Sequence, residues 1–262
     1  MDPHDLHIMK YKITDHNRSR VDSLAHQLEH VNQEVRDVIN EITTGVDSAK
    51  EMETIIREKE SFMNKHLEAA VLIMHDANKK IKDLKEQDIS VLSLYENPPK
   101  GLEPLIRCFV YILASIVPED IIKADIVNRP MSIDWKTCRH LLRNGKEFIE
   151  GLHQIRGKID KSMMSHESME YAKFIFAKSY LEFEDLKAIS KAVVDLHSFL
   201  QSVISYYDVI FLVKESESDM AKTTTRLETT TKRLVEAEEE MNKLKQTSDE
   251  IYKELNLATS KP

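Results

Sequence analysis

Eleven histidines, two cysteines and 45 carboxylates are the side chains of this 262-residue chain that could do chemistry, and their spacing decides what is open to them. His26-Gln27-Leu28-Glu29-His30 matches HxxEH, a pattern in which two histidines one helical turn apart hold zinc and a glutamate activates water. The heptad register fixed by Leu24, Leu28 and Val31 turns both histidines away from the seam into water, and no third ligand follows. The pair therefore reads as solvated surface, and no metal is expected. Cys108 falls in an apolar run and Cys138 on the apolar face of a helix, so both read as buried, inert thiols. Two cysteines make neither a disulfide framework nor a zinc set, and free thiols suit a reducing cytosol. Glu184 with Asp185, and the run Glu236, Glu238, Glu239 and Glu240, are what any solvated helix displays without a concave site to perturb them. No catalytic residue and no cofactor is expected.

The glycines argue the same way. Gly45, Gly101, Gly145, Gly151 and Gly157 are too far apart for a GxGxxG fingerprint or a Walker A loop. Five glycines and seven prolines also leave too few turn residues for a doubly wound nucleotide fold, a β-sandwich or a barrel. What remains is long helix, and 31% charged residues with 6% aromatics agree with it. The net charge of -8 is uneven, because Lys100 to Ser205 holds 15 basic against 14 acidic residues while the flanks hold 22 against 31. MDPHDLHIMKYK lacks the apolar core of a signal peptide, and the longest apolar stretch, Cys108 to Ala114, is far short of the roughly 20 residues a membrane span needs. The expectation is an intracellular soluble protein.

Between His4 and Asn97 there is no proline and one glycine, and between Lys158 and Lys261 there is neither. Val21, Leu24, Leu28, Val31, Val35, Val38 and Ile42 alternate spacings of three and four, the a and d positions of a coiled coil. The series weakens through Ala49, Met52, Ile56 and Met63, with Gly45 and Lys59 on its seam, and recovers at Leu67, Ala70, Met74, Ala77, Ile81 and Leu84. A second series runs Met220, Thr223, Leu227, Thr230, Leu234, Ala237, Met241, Leu244, Ser248, Ile251 and Leu255. Its small and polar members make a weak seam. The spacing predicts an all-α fold: a long antiparallel coiled-coil hairpin capped by a small helical bundle. The boundaries are a lead-in over 1–20, an outgoing arm over 21–96, a helical tip over 97–205, a return arm over 206–257 and a tail over 258–262.

Within the tip, short helices are expected over Glu103 to Ser115, after an Asp134 N-cap, over Glu147 to Ile155 and over Glu167 to Tyr180, with a loop from Val117 to Ser132. A further helix starts near Glu184 and runs unbroken into the return arm. From Lys136 to Lys161, seven basic residues face three acidic ones. Taken alone this is a solvated helix face, yet its local excess can steer the tip toward an acidic partner. Nucleic acid fits less well, since the whole chain is acidic and the patch has few aromatics to stack on bases.

The ordered set of Asp88-Ile89-Ser90, Asn97-Pro98-Pro99, Asp134-Trp135-Lys136 and Ser190-Lys191-Ala192, between two heptad arms, resembles the stalk and microtubule-binding domain of dynein heavy chains, the axonemal ones above all. The resemblance covers roughly Asn17 to Tyr252. It implies a noncatalytic stalk whose coiled-coil register is coupled to microtubule affinity at the tip. It puts microtubule contacts at Lys100, Lys136, Arg139, Arg143, Lys187 and Lys191, and the arm–tip junction at Pro98 and Pro99. The implied partners are tubulin and another coiled-coil chain or dynein subunits, with no membrane; the implied location is the cytoplasmic cytoskeleton of a cilium or flagellum.

The chain departs from that pattern at three places. Glu103 stands where the family has a basic or neutral polar residue, Ala188 stands where it has a cation, and the Val117–Ser132 loop is long. Each charge change at a partly exposed contact is worth roughly 1 kcal/mol, so weak microtubule binding, or none, is expected. Counting Val21 to Tyr95 and Tyr206 to Leu255 as helices at 1.5 Å per residue leaves the outgoing arm about 35 Å longer. Val21 to Ile42 is then expected to lack a partner from its own chain. The alternative reading is a coiled-coil scaffold of the same architecture that has lost microtubule binding and works by helix pairing through that overhang.

Overall fold

The computed structural model describes residues 3–114, 133–179 and 183–259. Among them are eight helices and no strand. They are α1 (Pro3–Ile81), α2 (Glu86–Leu92), α3 (Leu102–Ala114), α4 (Trp135–Arg143), α5 (Gly145–Asp160), α6 (His166–Lys178), α7 (Phe183–Ile189) and α8 (Lys191–Thr259). The expected loop from Val117 to Ser132 lies outside the described residues. The chain divides into two units, residues 1–60 with 218–262, and residues 61–217.

The first unit is a pair of antiparallel helices. Arg20 faces Glu254 at 3.6 Å, Asn32 faces Ser248 at 3.3 Å and Lys59 faces Asp219 at 3.2 Å, in reversed chain order. The seam is the expected one: Leu24, Val31, Val38 and Met52 of α1 and Ala237 of α8 are buried, and the intervening a and d residues are half-buried. The period of 3.5 puts those side chains between the helices, where removing them from water supplies the driving force. Val21 to Ile42 therefore does have a partner in its own chain, contrary to the overhang expected from the arm lengths. The length count failed because α1 stops at Ile81 instead of Tyr95 and α8 begins at Lys191 instead of Tyr206. Thr223, Thr225, Thr229 and Thr231 donate their hydroxyls to carbonyls one turn earlier, so these side chains are satisfied within the helix.

In the second unit α3 is the central element. Leu102, Leu105, Ile106 and the run from Cys108 to Leu113 are all at most 1% exposed, so this helix is apolar around almost its whole circumference. Phe109 meets the edge of Phe148 from α5 at 5.6 Å and stacks on Phe199 from α8 at 6.4 Å. Ala70, Met74, Ala77 and Ile81 of α1, and Val193, Leu196, Leu200 and Val203 of α8, complete the core. Leu67, expected on the seam, is exposed instead. α8 contains a stretch with the length and composition of a membrane span, and Val193, Leu196, Phe199, Leu200 and Val203 of this helix are in this core.

Side-chain caps cut the helices here. The backbone N–H of Lys85 donates to the Asp88 carboxylate at 3.2 Å, starting α2 after a break that contains neither proline nor glycine. Asp134 accepts from the Thr137 N–H at 2.9 Å, the N-cap that the sequence predicts for α4. Ser190 accepts from the Val193 N–H at 3.3 Å and divides α7 from α8, where one unbroken helix was expected. α5 ends in a Schellman turn, with Met163 N–H on Lys158 O at 2.8 Å and Ser162 N–H on Ile159 O at 3.0 Å. Lys214 of α8 reaches across to the carbonyls of Ile159 and Asp160 and to Ser162 Oγ at 2.6 Å. Beside it, Tyr206 donates its hydroxyl to Asp160, and His166 Nδ1 lies 3.0 Å from the Tyr207 hydroxyl.

Candidate functional site

α4 is two and a half turns long and strongly two-faced. Trp135, Cys138 and Leu142 are buried, while Lys136, His140 and Arg143 are exposed. Arg139 sits between the two faces, and its Nε donates to Ser93 O at 2.9 Å. One turn earlier, Trp135 Nε1 donates to Tyr95 O at 2.9 Å. Ser93 is the C-cap of α2 and Tyr95 lies in the turn that follows it, so both bonds go to backbone acceptors just past the helix end. At the other end of the short helices, a Cβ on Gly145 would stand 2.5 Å from Glu86 O, so glycine alone lets the start of α5 lie this close to the α2 backbone. α4 and α5 are thereby docked on α2, and the exposed cations of α4 face outward.

The remaining sequence-predicted cations lie around α7 and the start of α8. Lys187 and Lys191 are exposed there, with Ala188 between them. Lys187 lies 4.0 Å from Glu184, and Lys100 pairs with Asp185 at 3.0 Å, so α7 is tied to the turn before α3. Lys191 also lines a cleft of about 490 Å³ with Asp88, Tyr95, Ser190 and Asp195. Burial raises the Asp195 carboxyl above its usual range, although Lys191 and Lys80 oppose the rise. Tyr95 thus bonds α4 through its carbonyl, to Trp135, and lines the same cleft as Lys191.

Pro98 and Pro99 are half-buried in the turn between α2 and α3, well past the end of α1 at Ile81. Gly101 closes that turn with φ 88, a left-handed conformation that glycine alone adopts without strain. Glu103 does not present a bare carboxylate: it is paired with Arg107 one turn along α3, and both are about 30% exposed. The pair borders α4. Burial pushes the Cys138 thiol up to about 12, with Arg107 opposing the rise and Glu103 and Asp134 adding to it. Two hydrogen bonds from Thr137, its N–H first and its hydroxyl second, hold the Asp134 carboxyl below its usual range.

The residues weighed for other chemistry lie elsewhere. His26 and His30 are exposed, and His30 Nδ1 is 3.4 Å from Glu34. Cys108 is buried with its thiol pushed up to about 12, mainly by desolvation. Among the described residues no three His, Cys, Asp or Glu side chains converge as a metal site. Sequence reasoning missed His140 and the acceptor role of Ser93 and Tyr95. The signal for the second was the i, i+4 spacing of Trp135 and Arg139, two long donors on one face of a helix.

These features define an all-α protein of two long antiparallel helices and a helical bundle bearing a cationic helix face. No protein-family model matches the chain. Over 156 residues, 60% of its length, it is 20% identical to dynein heavy chain-like protein 2 of Plasmodium falciparum (isolate 3D7). The chain covers 3% of that protein. At this identity the similarity suggests, at most, that this helical chain is dynein-related.

Proposed function

We propose that the chain is a noncatalytic, dynein-like stalk whose helical tip binds the acidic surface of a microtubule, with affinity coupled to the register of the paired arms. The observation that carries this reading is the exposed face of α4, Lys136, His140 and Arg143, held by Arg139 and Trp135 to the turn after α2 that also carries Lys100, itself paired with Asp185 of α7. Fixed cations on a rigid helix steer and orient an acidic partner at little entropic cost. The Glu103–Arg107 pair lowers the electrostatic penalty that Glu103 alone would impose, so binding is weak but present. The location proposed with this function is the cytoplasmic cytoskeleton, in a cilium or flagellum. The scaffold alternative loses its main support, because Val21 to Ile42 is paired with α8 of its own chain.

Co-pelleting with microtubules across a salt series tests the proposal. Binding that weakens with salt, and with Lys136, Lys187 or Lys191 changed to Glu, supports it. No pelleting at low salt returns the chain to the scaffold class.

A further inference from the structure

The turn from Ser93 to Lys100 holds three helices at once. Its first residue accepts from Arg139 of α4 at 2.9 Å, its third from Trp135 of α4 at 2.9 Å, and its last pairs with Asp185 of α7 at 3.0 Å. Pro98 and Pro99 stiffen it, since each ring fixes φ and removes an N–H, and Gly101 ends it in the left-handed region at φ 88. Its first residue is also the C-cap of α2, so the turn inherits the direction of that helix.

We infer that this turn is the spacer that sets the separation between the two cationic groups, Lys136 with His140 and Arg143 on one side and Lys187 with Lys191 on the other. Arg139 is then a positioning residue, acting through Ser93 instead of touching the partner, and Pro98–Pro99 stiffens the spacer instead of marking where an arm ends. The physical reason is specificity by spacing. Two groups of cations on a stiff frame fit acidic sites at one separation, whereas the same cations on a loose frame lose side-chain and backbone entropy on binding. Arg139 suits the part because its planar guanidinium reaches a carbonyl acceptor while the long stem covers apolar surface. The microtubule as partner rests on the proposed function above; the spacer itself does not.

The distance between nitroxide labels at Lys136→Cys and Lys187→Cys reads the spacer directly. Cys108 and Cys138 stay unlabelled, being buried with thiols near 12. The parent gives one narrow distance distribution. R139Q and the double variant P98G/P99G each broaden it at least twofold, and R139K restores it, because a lysine ammonium also donates to a carbonyl. Unchanged widths in both R139Q and P98G/P99G overturn the inference. In microtubule co-pelleting, R139Q weakens binding about fivefold while R139K does not, and K191Q weakens binding without broadening the distances. Equal loss of binding in R139Q and R139K with narrow distances makes Arg139 a contact and overturns its positioning role. Failure of the parent to pellet sinks the microtubule reading alone, and the distance measurement still decides the spacer.

Discussion

Leu234 of α8 lies over Gly45 of α1, so close that a Cβ on Gly45 would stand 2.7 Å from Leu234 Cδ2. A knob from one helix fills the space left by a missing side chain on the other, at a seam otherwise softened by Thr223 and Thr230. Such a fit favours one axial register of the pair, because sliding either helix brings a full side chain under Leu234.

Gly45→Val is expected to destabilise the paired helices by about 1–3 kcal/mol through overpacking, despite removing a glycine from a helix interior. Leu234→Ala alone loses packing at the same place. Combining them relieves the clash, so the double variant is more stable than the sum of the two losses, as read from urea midpoints. Strict additivity of the two substitutions refutes the contact as a register pin.

Ser162 is the one non-glycine residue at positive φ among those described, at 56°. A left-handed L-residue costs roughly 1–2 kcal/mol, and here the Schellman turn and Lys214 hold it in place. The expected order of stability is Ser162→Gly at or above the parent, then Ser162→Val lowest by about 2 kcal/mol, because β-branching suits positive φ worst. Thermal unfolding of the three proteins checks the order.

The thiols of Cys108 and Cys138 are buried and pushed up to about 12 by desolvation, so both stay protonated at pH 8. A disulfide reagent at pH 8 is expected to titrate neither thiol in the native protein and both in urea. The slow native rate should track the free energy of opening. Rapid reaction of either thiol in the native state contradicts the packing of α3 on α4 and α6.

His197 of α8 stacks on Phe176 of α6 at 5.1 Å, and burial lowers its pKa from 6.5. The unfolded chain therefore takes up this proton first as the pH falls. His197 contributes stability that is full above pH 6.5 and is lost as the pH drops through the lower, folded value. His197→Phe, which keeps the stacking and removes the titration, should flatten the stability profile between pH 7 and 5. An unchanged acid slope in that variant assigns the slope to other groups.

The parts of this structure written in side-chain type were legible in the sequence. The heptads of α8 from Met220 to Leu255 lie on the seam without exception, because a 3.5-residue apolar period leaves a helix one way to pair. Helix ends were read poorly. They depend on Asp88 and Ser190 as caps, and a single carboxylate or hydroxyl inside a helix-forming stretch looks like any other polar residue. That error carried into the arm lengths and the supposed overhang of Val21 to Ile42. At the candidate site the cations were legible as charges but not as roles, since nothing in the local sequence marks the Ser93 carbonyl as the partner of Arg139.

Glu103 offers the sharpest test of how charge governs the proposed binding. Its carboxylate is spent on Arg107, whose Nε is buried and has no hydrogen-bond partner. Glu103→Gln removes the anion, leaves the guanidinium uncompensated beside α4, and raises the local positive charge by one. Affinity for microtubules is expected to rise about fivefold at low salt, as a partly exposed charge change of about 1 kcal/mol implies, and the gain should vanish as salt screens it. Arg107→Gln should do the reverse, leaving Glu103 as a bare carboxylate and lowering affinity. The two changes together should bring affinity back near the parent, since the pair is neutral in both. Co-pelleting of the three variants at two salt concentrations measures this directly. Equal affinity of all three proteins at low salt would place the Glu103–Arg107 edge of α3 outside the binding face.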